Sequence, residues 1–114
     1  KPDPARLDWI HRHKTAALLA ASTELGAIHA GAAPDACAAM AEYGLQIGLA
    51  FQIADDILDC TSTAADLGKT PGKDRAAGKA TFPALYGLER SRKHAADAIG
   101  RAIAAVERVG LLEE

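Results

Sequence analysis

Apolar residues recur at helical spacing along most of the chain, and polar interruptions divide the pattern into blocks. The first block predicts a helix that begins at Pro4 and continues towards Gly31. Four consecutive polar residues at positions 11–14 interrupt its apolar stripe, so we expect a break or kink there. Residues 31–35 combine glycine, alanine and proline and predict a turn before the next helix.

The second block starts at Pro34 and is apolar on most faces as far as about Asp59. A helix with so little polar surface is usually central and buried, and this one should have roughly seven turns. Gly44 and Gly48 stand four residues apart, on one face of the helix, where they would let a neighbouring helix approach closely.

The third block follows a stretch rich in glycine and lysine at residues 61–81, which predicts a long loop or lid. Helical periodicity resumes after Pro83 and extends to Val109, with Gly87 as a candidate break. Residues 111–114 contain no stop signal, so we expect the helix, or the protein, to continue beyond them.

Composition agrees with this all-helical prediction. Hydrophobic residues make up 49% of the 114 residues and aromatic residues only 4%, and alanine, the best helix former, dominates. The net charge of −2 gives no electrostatic case for binding nucleic acid or an anionic membrane. No apolar stretch is long enough to span a membrane.

Cys37 and Cys60 make no metal-type spacing and favour a reduced, cytoplasmic protein. The chain begins at Lys1 and its only methionine is Met40, so we expect a piece of a longer protein, comprising one domain or part of one.

Three carboxylates stand at the polar end of the second block. Asp55, Asp56 and Asp59 have the spacing i, i+1, i+4, which places two of them on one helical face about 6 Å apart. Such neighbours repel each other, and a divalent cation would reverse the sign of that interaction. Hard oxygen ligands suit Mg²⁺, with Mn²⁺ as an alternative. The competing interpretation is a solvated helix end with no ligand.

Other polar residues extend this candidate site. Lysines 69, 73 and 79 follow the acids in the glycine-containing stretch and could face a phosphate held by a metal, although solvated loop lysines would look the same. The polar residues 11–15 span more than one helical face, so at least one should face protein or a cavity. Gln52 is an amide on an apolar helix and needs a partner, either a neighbouring helix or a ligand.

Together these segments resemble the second half of the trans-prenyl diphosphate synthases. The matching segments, in the family's order, are His13-Lys14-Thr15, Gly48 to Asp59, Gly68-Lys69 and Gly78-Lys79 to Leu85. Bacterial farnesyl diphosphate synthases look most similar, with geranylgeranyl diphosphate synthases next. The resemblance implies the all-α isoprenoid synthase fold. Residues 1–114 would be a partial helical bundle from its C-terminal half, without the N-terminal half and the extreme C-terminus.

The resemblance also implies a reaction, in which isopentenyl diphosphate condenses with dimethylallyl or geranyl diphosphate to give farnesyl or a similar diphosphate. It implies metal ligands at Asp55, Asp56 and Asp59, and diphosphate contacts at Lys14, Lys69 and Lys79. It also places the backbone of Lys14 and Thr15 and the side chain of Gln52 beside the allylic cation. A homodimer is expected for the full-length protein.

The family's first aspartate-rich motif and its isopentenyl diphosphate site do not occur in these 114 residues. We therefore expect the piece alone to be inactive. Two alternatives remain open: a class I terpene cyclase or squalene-type synthase, and a non-catalytic helical interaction module.

Overall fold

The computed structural model describes residues 3–61 and 81–110, except for the side chains of residues 7, 8, 11 and 12. These residues form helices and turns without a strand, which confirms the all-α prediction. The helices are α1 (Pro4–Arg12), α2 (Thr15–His29), α3 (Pro34–Thr61) and α4 (Phe82–Glu107). The predicted loop or lid lies outside the described residues, apart from its two end residues. Residues 111–114, beyond which a continuation was predicted, also lie outside them.

The predicted break near residues 11–14 is confirmed, because α1 ends at Arg12 and α2 starts at Thr15. His13 makes three contacts with Trp9 at the end of α1. Its backbone N–H donates to the Trp9 carbonyl at 3.0 Å, and its Nδ1 lies 2.8 Å from the same oxygen. The His13 ring stacks on the Trp9 ring, with the two ring centroids 4.4 Å apart. Lys14 then leaves the helical region, with φ −109° and ψ −118°.

The turn between α2 and α3 also agrees with the sequence. Gly31 takes a positive φ of 78°, which glycine adopts without the steric cost that a Cβ would bring. Pro34 then opens α3, whose 28 residues correspond to about 42 Å of helix. This length accounts for most of the 46 Å long dimension of the molecule.

Helix α3 is central, since α2 and α4 both pack along it. On the α2 side, Gly48 lies against the backbone of Ala16, where an added Cβ would clash. Gly44 lies equally close to the Thr23 side chain and the Leu19 carbonyl. The two glycines therefore permit the close approach that their spacing predicted.

On its other side, α3 shares an apolar core with α4. Its buried members are Leu49, Ala50, Ile53, Phe82 and Ala98. Phe82 begins α4, and Ala98 lies four turns later in the same helix. Both can reach one cluster because α4 is kinked at Gly87, where φ is 82° and ψ is 166°. The predicted break at Gly87 is thus confirmed.

A polar chain also links α3 to α4, and the sequence analysis did not anticipate it. Gln46 is 95% buried, leaving a relative exposure of only 5%. Its Nε2 donates to Glu42 Oε2 at 2.7 Å, and its Oε1 accepts from Arg101 Nε at 3.1 Å. Both ends of the amide are therefore paired, as a buried amide requires.

We expect Gln46→Ala to lower the free energy of unfolding by about 1–3 kcal/mol, because it removes a buried amide and leaves its partners unpaired. Arg92→Ala is the control. Arg92 contacts the exposed Glu89 at 3.4 Å, and exposed ion pairs of this kind contribute about 0–1 kcal/mol. Urea unfolding followed by circular dichroism measures both. Equal effects of the two substitutions would contradict the role given to Gln46.

Several large apolar side chains remain exposed in the described part of the chain. They form stripes at helical spacing: Leu18 and Leu25 on α2, Phe51 and Leu58 on α3, and Ile99 and Ile103 on α4. Among the described helices, none has the length and apolar character needed to cross a membrane.

Candidate functional site

The structure brings together two predicted site residues that are 37 positions apart in the sequence. Gln52 Nε2 donates to Thr15 Oγ1 at 2.6 Å, and both side chains are half-buried. The expected partner of the Gln52 amide is therefore a residue on the neighbouring helix α2. Thr15 is thus one member of the polar run 11–15 that faces other protein, as the sequence indicated.

This hydrogen bond forms beside one of the close contacts between α2 and α3. Gly48 lies one turn before Gln52, and Ala16 directly follows Thr15. Ala16 has no exposed surface and its backbone fills the space in which Gly48 would carry a side chain. The absence of that side chain therefore allows the hydroxyl and the amide to meet.

Lys14 is tied to the same place through the backbone. It occupies the N-cap position of α2, directly before Thr15, and its side chain is exposed. Its side chain is thus carried on the surface, on the residue that directly precedes Thr15 at the break between α1 and α2.

The acidic residues occupy the last turns of α3. This helix extends two residues beyond Asp59, to Thr61, whose hydroxyl donates to the Ile57 carbonyl at 3.0 Å. At 100° per residue, Asp56 and Asp59 lie within 40° of Gln52 around the axis. The three side chains are half-buried and share one face of α3.

Asp55 lies about 40° from Asp59 around α3, on the side of two apolar residues. Phe51 and Leu58 stand within 60° of it on the helical wheel, and all three side chains are exposed. The end of α3 therefore has two adjoining faces. The polar face consists of Gln52, Asp56 and Asp59, and the mixed face consists of Phe51, Asp55 and Leu58.

Asp56 is oriented by the start of α4. Its Oδ2 accepts a hydrogen bond from the Phe82 backbone N–H at 3.2 Å. Sequence reasoning missed this contact, because a backbone donor leaves no signature in side-chain spacing. The signal that could have located it is the helix start at Thr81-Phe82-Pro83, where a first-turn N–H has no partner within its own helix.

The acids at the end of α3 are the candidate metal ligands. Within residues 3–61 and 81–110, no three His, Cys, Asp or Glu side chains are grouped closely enough to hold a metal ion. Mg²⁺ commonly takes only one or two protein carboxylates and completes its shell with water and substrate phosphate. The carboxylate oxygens present suit that mode of binding. No metal contact of Asp55, Asp56 or Asp59 is tested by the structure, and their assignment as ligands stays a prediction.

Two of the predicted diphosphate contacts fall on Lys69 and Lys79, which lie outside the described residues. Their roles remain predictions from the resemblance. Lys14 is the third such contact and is described above.

Comparison with known proteins identifies similar sequences. The polyprenyl synthetase family model matches residues 3–111. Over 88 residues, the chain is 54% identical to geranylgeranyl pyrophosphate synthase 11, chloroplastic, of Arabidopsis thaliana. These residues cover 77% of this chain and 25% of that protein. It is 50% identical over 93 residues to a dimethylallyltranstransferase of Fischerella ambigua. These residues cover 82% of this chain and 27% of that protein.

A geranylfarnesyl diphosphate synthase, chloroplastic, of Leucosceptrum canum is 49% identical over 90 residues, which cover 79% of this chain and 25% of that protein. The chain therefore spans about a quarter of the length of the curated relatives it matches. The cytoplasmic location predicted from the cysteines is wrong by this comparison, because similar relatives are named as chloroplastic or mitochondrial.

Proposed function

Because the chain belongs to the polyprenyl synthetase family, we propose that it forms part of a trans-prenyltransferase that joins isopentenyl diphosphate to an allylic diphosphate. These residues would bind the diphosphate of the allylic substrate. The observation that supports this proposal best is the polar face of α3, where Asp56 and Asp59 share one side with a Gln52 that is held by Thr15.

The proposed ligand is a diphosphate bound with Mg²⁺, or Mn²⁺ as the alternative. When bound, the metal would neutralise the charge of the diphosphate and assist its departure. Asp55, Asp56 and Asp59 would supply carboxylate oxygens to the metal. Lys14, Lys69 and Lys79 would stabilise the negative charge on the departing diphosphate.

The Thr15–Gln52 pair would lie beside the carbon atoms that become cationic. The amide nitrogen of Gln52 donates to Thr15. This hydrogen bond fixes the plane of the amide, so the Gln52 carbonyl dipole keeps one direction. A fixed dipole can stabilise developing charge without reorganising during the reaction. Thr15 and Gln52 would therefore act through orientation and electrostatics, and neither needs to form a covalent bond.

The mixed face of α3 suits the hydrocarbon part of such a substrate. Phe51 and Leu58 are 57% and 54% exposed and flank Asp55. An apolar chain that covered them would be protected from water next to a charged group. The relatives named above include geranylgeranyl and geranylfarnesyl synthases, so we propose a geranylgeranyl-type product in place of the farnesyl product that the resemblance implied. We also propose that the whole protein is a homodimer.

A chimera provides the test of this reaction. Residues 3–111 would replace the matching segment of the Fischerella ambigua relative, which supplies the remaining parts of the enzyme. We expect Mg²⁺-dependent incorporation of labelled isopentenyl diphosphate into prenyl diphosphates when an allylic diphosphate is present. A chimera that unfolds cooperatively but makes no product would contradict the proposal. The 114 residues alone should be inactive, and condensation by them would show that they contain a complete site.

The same assay separates the enzyme alternatives. A class I terpene cyclase consumes an allylic diphosphate without isopentenyl diphosphate and releases a hydrocarbon or alcohol. A prenyltransferase requires both substrates. Products formed in the absence of isopentenyl diphosphate would therefore favour the cyclase.

A further inference from the structure

The first turn of α4 lies beside the body of its own helix. Phe82 and His94 are 12 residues apart, which would separate them by about 18 Å along a straight helix. Their ring centroids are only 5.5 Å apart. Tyr86 and His94, eight residues apart, have centroids separated by 4.8 Å. The kink at Gly87 must therefore turn residues 82–86 sharply against the helix that follows.

Two kinds of contact hold this geometry. Phe82, Tyr86 and His94 form a three-ring cluster, in which the Phe82 and Tyr86 centroids are 5.4 Å apart. Ser91 is fully buried, and its hydroxyl donates to the Gly87 carbonyl at 2.7 Å. The ring cluster joins the two sides of the kink, and Ser91 fixes the carbonyl at its vertex.

The conformation at the vertex requires glycine. With φ at 82° and ψ at 166°, Gly87 lies in a region that residues with a Cβ rarely enter. A Cβ at this position would meet no atom within 4 Å. The requirement therefore comes from the backbone alone, so substitution here changes the kink without introducing a clash.

The kink sets the position of the Phe82 N–H, which bonds to Asp56. We propose that Gly87 and the Phe82–Tyr86–His94 ring cluster are positioning elements for Asp56, acting on diphosphate binding through the Phe82 N–H. This inference rests on the function proposed above, because it gives Asp56 a role in binding the metal and diphosphate. Groups that orient a metal ligand typically change metal affinity by about 10–100-fold when they are lost.

The experiment measures two quantities on the 114-residue chain. Isothermal titration with pyrophosphate in the presence of Mg²⁺ measures binding, and the ¹H–¹⁵N spectrum measures the Phe82 amide shift, which reports its bond to Asp56. Gly87→Ala is compared with Gly100→Ala, a position in the same helix that also has open space around it but no positive φ. His94→Ala removes a ring, and His94→Phe restores one.

Gly87→Ala and His94→Ala should move the Phe82 amide signal upfield and weaken binding about tenfold. Gly100→Ala should change neither quantity, and His94→Phe should restore both. In an Asp56→Ala background, Gly87→Ala should cause no further loss of binding. This background distinguishes a positioning role from general destabilisation, which would weaken binding with or without Asp56.

If Gly87→Ala moves the Phe82 amide signal but leaves the affinity for pyrophosphate and Mg²⁺ unchanged, the positioning role is overturned. Equal losses of affinity from Gly87→Ala with and without Asp56 would overturn it as well. If the unsubstituted chain does not bind Mg²⁺ and pyrophosphate, the proposed function of this site fails. The Phe82 amide shift would then still test the coupling, because an unmoved signal in Gly87→Ala contradicts it. If Gly87→Ala does not fold, Ser91→Ala, which removes only the hydroxyl at the vertex, takes its place with the same expected directions.

Discussion

Replacing Gly48 with alanine should separate α2 from α3 and lower the free energy of unfolding by about 1–3 kcal/mol, the usual cost of overpacking a core. The new Cβ would clash with the Ala16 backbone, which cannot move aside as a flexible side chain could. Because Thr15 precedes Ala16, its hydroxyl should also move away from Gln52. Urea unfolding measures the stability, and the side-chain NH₂ signals of Gln52 report the loss of its hydrogen bond.

Gly26→Ala is the matched control for this result. Gly26 lies within α2, and a Cβ there would meet nothing within 4 Å. This substitution should stabilise the helix by about 0.5–1 kcal/mol, since alanine loses less backbone entropy than glycine. A Gly48→Ala variant that is as stable as Gly26→Ala and keeps the Gln52 signals unchanged would show that Gly48 is not needed for the close packing of α2 on α3.

Removing the carboxylates of α3 should have the largest effect on catalysis. In the chimera described above, we expect Asp55→Ala and Asp56→Ala each to lower kcat/KM by a factor on the order of 10²–10³, as for other groups that stabilise transition-state charge. Asp56→Ala should have the additional effect of releasing the Phe82 N–H. Steady-state kinetics with labelled isopentenyl diphosphate measures the loss.

Glu89→Ala is the control for these variants, because it also removes one negative charge from a helix. Its side chain is 92% exposed and pairs with the nearby Arg92 at 3.4 Å. We expect its kcat/KM to equal that of the unsubstituted chimera. If Glu89→Ala lost as much activity as Asp55→Ala, the effect would come from net charge and not from a binding site.

Much of the fold follows from local signals in the sequence. Pro4 and Pro34 open helices, the polar residues near His13 end one, and Gly87 interrupts another, each for a reason that involves few neighbouring residues. The close packing at Gly44 and Gly48 was also predictable, because small residues four positions apart leave a groove on one helical face.

The contacts that orient the site were less predictable. A half-buried Gln52 amide requires a partner, but only the packing of α2 on α3 selects Thr15. The bond from the Phe82 N–H to Asp56 depends on how sharply α4 bends, and the sequence marks the position of that bend without its angle. The link from Gln46 to Arg101 likewise joins residues 55 positions apart, beyond the reach of helical spacing rules.

We propose above all that these residues bind a diphosphate together with a divalent metal. Calorimetric titration of the 114-residue chain with pyrophosphate, with and without Mg²⁺, tests it most directly when repeated for Asp55→Ala and Lys69→Ala. We predict binding that requires Mg²⁺ and is weakened at least tenfold in both variants, because each removes a charged contact to the bound complex. Binding that is independent of Mg²⁺, or that is unchanged in both variants, would contradict the claim.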